Sequence, residues 1–457
     1  LLLCLLSTNS TRDFPEAKMR SAPWGVLLAC VPTLAFHSQP LIIAKRDVLS
    51  FSRSTPKLGV IDVSESAPRD VWTMDEWATA CGVQKAEGFQ LTTEDGLDYS
   101  VMTDADIPAE SFVLFVPNTM ILSSSQAQQE FGRIKTADER LVSAKESKHI
   151  PHFYLFLKIL REYEMGEQSP WHSWLDSLPR YYSNGASMTP FCFDCLPPLV
   201  GQLAMNDRIR FIQFFQALRF VDFISDETKM RKDLMKWAFA VVHTRCFETD
   251  DGDVKLVPMA DMFNHGAETE VDISYDEEGN CYAYSKYDVP AGYPLRLSYG
   301  DHTNPSPLFA RYGFLDESSP GTFCKIMIKK PSPELVNMGY DYSTMLFYKD
   351  TGDVSEQVWD ILLYQNLEND PDQQRAFYDA HMTGDYDTKQ SFHQHYFPQT
   401  LATLQNHVDN FLVLLDDLSA KAVGKDIEDH PRLPLITSHN DVVRETFLRV
   451  KANLDSM

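Results

Sequence analysis

Apolar residues recur at three- and four-residue steps in HFYLFLKILREY (152–163), RIRFIQFFQALRFVDFI (208–224) and KDLMKWAFAVVHTRCF (232–247). Each run predicts a helix. An earlier helix is predicted over 73–81, where Thr73 can cap and Met74, Trp77 and Cys81 share a face. Short runs bounded by Gly, Asp or Pro predict strands at 89–91, 99–103 and 112–116. From about residue 125 the pattern turns helical, and strands return at VDISY (271–275) and CYAYSKY (281–287). Those two flank the turn-like DEEGN and predict a hairpin. Pro290-Ala291-Gly292 makes another turn before LRLSY (295–299). Beyond about 335 the helical period resumes. Leu401, Leu404, Val408, Phe411, Leu415 and Leu418 trace one face, as do Val443, Phe447, Val450 and Leu454. The expectation is a β-rich half interrupted by helices, followed by an all-helical tail.

Length changes this picture little: 457 residues predict two or three domains. Charge changes it more. The formal net charge is -24, yet residues 19–58 carry Arg20, Lys45, Arg46, Arg53 and Lys57 against Asp47 alone, a local +4, so the rest sums to -24 - 4 = -28. Such a surface repels a phosphate backbone, so no nucleic-acid partner is expected. No run of eighteen apolar residues occurs, and no membrane span is expected in the mature form. Eight cysteines in this length do not read as a disulfide framework. The close pair Cys192 and Cys195 lacks a second pair or spaced histidines, so no metal site is expected.

The first 59 residues read as a leader. Met19-Arg20 resembles a start, and APWGVLLACVPTLA (22–35) has the apolar core and small-residue end of a secretory signal. FHSQPLIIAKRDVLSFSRSTPK (36–57) is Ser- and Arg-bearing and nearly free of acid, like a transit peptide. The join at Ala35–Phe36 resembles the bipartite leader of algae with secondary plastids. Plastid import is the expectation, with secretion or a cytoplasmic protein as competing readings.

Four segments carry the candidate chemistry: SPWHSWLDSLP (169–179), KWAFAVVHTRCF (236–247), VPMADMFNH (257–265) and LSYGDHTNPSPLFARYGFLDE (297–317). An Arg at a helix end, an Asn-His pair, a Tyr ending a strand and a Tyr-Gly-Phe follow in order. Thirty-five residues separate Asn264 from Tyr299, and thirteen separate Tyr299 from Tyr312. Over roughly residues 85–330, this ordered set resembles the SET family of protein methyltransferases, in the branch of plant Rubisco large-subunit lysine methyltransferase. The tail resembles that branch's substrate-binding domain.

The resemblance implies an α+β fold: a β-rich SET domain at 60–332 with a helical insertion at about 125–245, then an all-helical substrate-binding domain at 333–457. It implies S-adenosylmethionine as methyl donor and a lysine of a non-histone, plastid protein as acceptor, with Rubisco large subunit or sugar-phosphate aldolase as the substrate classes. Tyr299 would be catalytic, its hydroxyl orienting the amine beside the methyl. Arg245 would pair with the donor carboxylate, and Asn264 and His265 would hold the donor. Tyr312 and Phe314 would wall the channel or pack the adenine, and Asp261 would brace its loop. A lysine must lose its proton before attack, and a narrow apolar channel favours the neutral amine.

One stretch departs from the family pattern. Where the family has a Gly-x-Gly turn before a strand, this chain has Asp98 and Ser100, with Gly96 nearby. Side chains there cost close approach and positive φ, so weaker donor binding is expected. The alternatives are a catalytically silent SET-fold scaffold and a histidine-directed methyltransferase. A chromatin enzyme fits badly, because the charge is acidic and no cysteine-rich zinc segment follows Phe314.

Overall fold

The computed structural model describes residues 61–457, apart from 304, 317, 318, 320, 324–330 and 342. The described residues fall within one compact unit. The leader reading, with Met19 and the Ala35–Phe36 join, lies outside the described residues.

The β-rich part consists of small sheets. Gln84–Lys85, Phe112–Val116, Cys281–Ser285 and Val271–Tyr275 form a four-stranded antiparallel sheet in that order. The expected hairpin is its second half, with Cys281 opposite Tyr275. Phe89–Thr92 pairs with Ser100–Thr103, and Leu122–Ser123 and Cys246–Glu248 flank Val254–Leu256. Asn264–His265 runs parallel to Arg296–Leu297, bringing two distant motif segments side by side.

Helices fill the interval between the early and late strands. Ile150–Met165 buries eleven residues, Phe153 to Leu160 among them, so it sits inside the domain rather than on its surface. Lys232–Arg245 is likewise buried from Trp237 to His243, and Arg245 closes its last turn, where a cation suits the helix dipole.

Several boundaries differ from those the pattern predicts. The first helix is Val71–Ala80, capped by Asp70, whose carboxylate accepts from the Thr73 N–H at 3.0 Å. Thr73 donates to that cap and is not the cap itself. The 208–224 run belongs to a helix that starts at Pro198, where proline's fixed φ suits the first turn, and ends at Ala217. Residues 246 and 247 leave the helix for a strand. The signal for it was the Asp251-Gly252 turn, where Gly252 takes φ +81 and Thr249 N–H donates to Asp253 O. LRLSY shrinks to two strand residues because Ser298 bonds locally to Gly300 and the Tyr299 N–H turns to a side chain.

Past residue 332 the described residues are mostly helical, but the tail is not all-helical as expected: Leu346–Tyr348 forms a short strand, because it finds a partner in Gly321–Phe323. The long helices Tyr386–Ala422 and Leu433–Asp455 pack together through the predicted stripes. Leu404, Val408, Leu415, Val443, Phe447, Val450 and Leu454 are buried in one cluster with Phe347 and Phe377. A separate cluster, with Cys192, Cys195, Phe309 and Ile436, joins the helical insertion to the tail. Among the described residues, no helix is long and apolar enough to cross a membrane, and no three His, Cys, Asp or Glu gather as a metal-ligand set.

Candidate functional site

The site begins with a strained turn. Met259, fully buried, takes φ +73 and leads into the single helical turn Ala260–Met262. A non-glycine residue holds that conformation only where its surroundings force it. The turn delivers Asp261 to the end of the Lys232–Arg245 helix. Arg245 Nη1 donates to the Asp261 carbonyl at 2.6 Å and to its carboxylate at 3.1 Å. Trp174, from the upstream SPWHSWLDSLP segment, donates its indole N–H to the same carboxylate at 3.2 Å. Burial pushes the Asp261 carboxyl up, and the Arg245 charge pulls against it. Asp261 thus braces Arg245 and Trp174, and its Oδ1 is left without a hydrogen-bond partner among the described residues.

Two residues further on, the Phe263 carbonyl accepts the Tyr299 hydroxyl at 2.5 Å. The parallel strand pair sets this contact, since it holds Leu297 beside His265. The Tyr299 N–H then donates to His265 Nδ1 at 3.1 Å, and His265 Nε2 lies 3.6 Å from an Asp316 carboxylate oxygen. Burial holds His265 below the usual imidazole range and raises the Tyr299 phenol well above its ordinary value.

Rings close the group. The centroid of Tyr299 lies 4.8 Å from Tyr312 and 6.4 Å from Phe314, and His265 lies 5.5 Å from Tyr299 and 5.7 Å from Phe314. Tyr312 OH donates to the Tyr299 carbonyl at 3.5 Å. Asn264 is exposed, and its amide nitrogen donates to the Tyr99 carbonyl at 3.3 Å. Five of the six sequence-predicted residues, Arg245, His265, Tyr299, Tyr312 and Phe314, therefore come together with Asp261, and Asn264 sits at the edge.

The site also uses residues that sequence reasoning missed. Arg69 donates to the Leu97 carbonyl and lies over the Tyr99 ring at 4.9 Å. Burial and the like charge of Arg245 push it down to about 10. Tyr182 is buried beside the Arg245 charge. No local pattern distinguishes either residue.

The altered glycine turn is a hairpin loop. The Asp95 carboxylate accepts from the Leu97 and Asp98 N–H groups, and Gly96 carries the positive φ, +75. Asp98 is exposed, and the Ser100 hydroxyl lies 3.0 Å from that of Thr92 in the strand pair. Neither Asp98 nor Ser100 has positive φ. The backbone-strain part of the expectation of weak donor binding is therefore overturned, because the only residue needing that conformation is a glycine.

No family model matches the chain. The fold matches a crystal structure of the SET domain of LSMT bound to lysine and AdoHcy over 84% of this chain and 91% of that one, with a TM-score of 0.59 and 15% identity. A structure of Rubisco LSMT bound to AdoMet matches over the same shares with a TM-score of 0.54 and 15% identity. Among curated proteins, SET domain-containing protein 4 of Mus musculus is 25% identical over 182 residues, 35% of this chain and 41% of that protein. Actin-histidine N-methyltransferase of Otolemur garnettii is 23% identical over 274 residues, 53% of this chain and 42% of that protein. The matches thus span about two-fifths of the length of these curated relatives. The chain has the SET fold. Within that fold it resembles Rubisco LSMT.

Proposed function

We propose that this chain is an S-adenosylmethionine-dependent protein methyltransferase acting on a lysine of a plastid protein. The observation that carries the reading is the Tyr299 hydroxyl, held at 2.5 Å on the Phe263 carbonyl within a wall of Tyr312, Phe314 and His265. The residues present fit the donor. Arg245 supplies a buried cation for its carboxylate, and the rings offer apolar faces to adenine. Bound there, the donor supplies an already activated methyl on sulfur.

The chain's own task is positioning and desolvation. Tyr299, its phenol raised by burial, stays protonated at working pH and orients the acceptor nitrogen as a hydrogen-bonding group rather than as a base. The aromatic wall excludes water, which disfavours the ammonium form of an entering lysine. Arg245 is already partly neutralised by Asp261, so the donor carboxylate would meet its remaining N–H groups.

A histidine acceptor is the second reading, favoured by the match to actin-histidine N-methyltransferase, which covers more of this chain than the match to SET domain-containing protein 4. The full chain should be incubated with methyl-labelled S-adenosylmethionine and, separately, plastid stromal extract and purified actin, and the modified residues mapped by mass spectrometry. Label on a stromal lysine supports the first reading, and label on an actin histidine supports the second. No label in either, together with no donor binding by calorimetry, favours the silent scaffold.

A further inference from the structure

One face of the four-stranded sheet carries a patch of rings. Pairing fixes which side chains share it, because residues opposite one another in an antiparallel sheet point the same way. Ala283 lies between Leu114 and Ile273, and Cys281 between Val116 and Tyr275. These rows turn into the core. The alternate rows therefore turn outward. In them Tyr282 lies between Phe115 and Ser274, and Tyr284 between Phe112 and Asp272. The pairing skips Val113, and this bulge returns Phe112 to the outward face.

The outward side of such a strand is ordinarily polar. Here Phe112, Phe115 and Tyr282 are half-buried, and Tyr284 is 37% exposed. The Phe115 centroid lies 5.0 Å from that of Tyr282, a cross-strand pair that steadies the sheet. That role does not extend to Tyr284, which stacks on Tyr282 of its own strand at 5.9 Å with the planes 11° apart. The surroundings of the rings are acidic. Between residues 271 and 288 stand Asp272, Asp276, Glu277, Glu278 and Asp288 against Lys286, a local charge of -5 + 1 = -4. Lys286 donates to the Thr269 hydroxyl and lies 3.9 Å from Asp272, whose side chain is largely exposed opposite Tyr284. Ring faces beside carboxylates attract a cation, and a planar guanidinium stacks on tyrosine while it pairs with a carboxylate.

We propose that this face docks an arginine-bearing basic segment of another protein, its guanidinium groups lying on Tyr282 and Tyr284 and pairing with Asp272 and the carboxylates of the hairpin turn. The inference is independent of methyl transfer and holds for an enzyme and for a silent scaffold alike.

A fluorescent peptide of alternating arginine and serine is the probe, titrated by anisotropy into the full chain and into the double variant Tyr282→Thr/Tyr284→Thr. Threonine suits a strand and leaves the net charge unchanged, so lost binding cannot come from the acidity of the chain as a whole. The expected result is binding about tenfold weaker in the threonine variant, the scale of two cation–ring contacts, and within about twofold of the unaltered chain in Tyr282→Phe/Tyr284→Phe, which keeps the rings. A lysine–serine peptide of equal charge should bind the unaltered chain more weakly than the arginine peptide. No binding of the arginine peptide, equal binding by the threonine variant, or equal binding of the two peptides overturns the proposal. A lower melting temperature of the threonine variant with binding retained would show that the rings only hold the sheet, and overturns it too. So does sedimentation of the unaltered chain as a dimer that the threonine variant dissolves, since the occupant is then a second copy. Should the double variant fail to fold, Tyr284→Thr alone, at the most exposed ring, should bind about threefold more weakly, and unchanged binding overturns the proposal.

Discussion

Tyr299 concentrates the chemistry of the site in one hydroxyl. Because burial raises its phenol far above neutral, it carries its proton at any working pH, and a pH–rate profile should show no titration belonging to it below pH 9. Tyr299→Phe keeps the ring packing against Tyr312 and loses only the oxygen. Transfer should fall about 100-fold or more, the usual cost of one oriented hydrogen-bonding group at a reacting centre, while affinity for S-adenosylmethionine stays within about threefold on the ordinary scale of a conservative change. Single-turnover transfer and calorimetric titration check the two halves, and near-normal turnover would remove Tyr299 from this role. At this scale much was legible: Arg245, the Asn264-His265 pair, Tyr299, Tyr312 and Phe314 sit in short motifs of recognisable order. Arg69 and Tyr182 were not, because facing a ring or a cation is a relation between distant residues.

Among elements, three helices of the tail are clasped by one buried carboxylate. Asp360, on Glu356–Asn366, accepts from His393 at 2.8 Å, pairs with Lys389 at 2.8 Å and faces His381 at 3.5 Å. His381 lies on Pro371–Thr383, and Lys389 and His393 lie on Tyr386–Ala422, so three helices meet there. Burial alone would raise the Asp360 carboxyl, but bonds from His393 and Lys389 outweigh it and hold it below the usual range. A carboxyl depressed on folding contributes stability that is present above its unfolded pKa of about 3.9 and is lost as pH falls through the folded value. Asp360→Asn should therefore cost stability at pH 7, on the order of 3 kcal/mol for a broken buried pair. The gap to the unaltered chain should narrow as pH falls below about 4 toward the lowered folded value, beneath which both carry a neutral group. Urea unfolding at pH 7 and pH 3.5 measures it, and an equal gap at both would show that the carboxylate charge is irrelevant. The sequence stripes predicted these helices, yet nothing in them marked Asp360, since its partners lie up to 33 residues away.

For the whole molecule, two expectations of composition can be tested directly. Cys192 and Cys195 are buried among Leu196, Leu199 and Val200, and the Thr189 hydroxyl lies 3.2 Å from the Cys192 sulfur. Treatment with a metal chelator should leave the melting temperature unchanged, because packing rather than metal holds this cluster; a drop of several degrees would reveal a structural ion. The leader is a separate question. Residues 19–60 fused to a fluorescent protein should direct it to the plastid in a cell with secondary plastids, and retention in cytosol or nucleus would sink that proposal.

The sequence by itself determined the class of fold and the main helical faces, because both rest on periodicity and on short motifs whose chemistry is local. It also determined the order in which the site residues arrive along the chain. Only the tertiary structure decided that Gly96 takes the positive φ of the altered turn, that Asp261 already holds Arg245, and that Tyr282 lies opposite Phe115. These are matters of which surfaces meet. A hydrogen bond across sixteen residues, or a ring pair across strands, depends on packing that no pattern along the chain encodes.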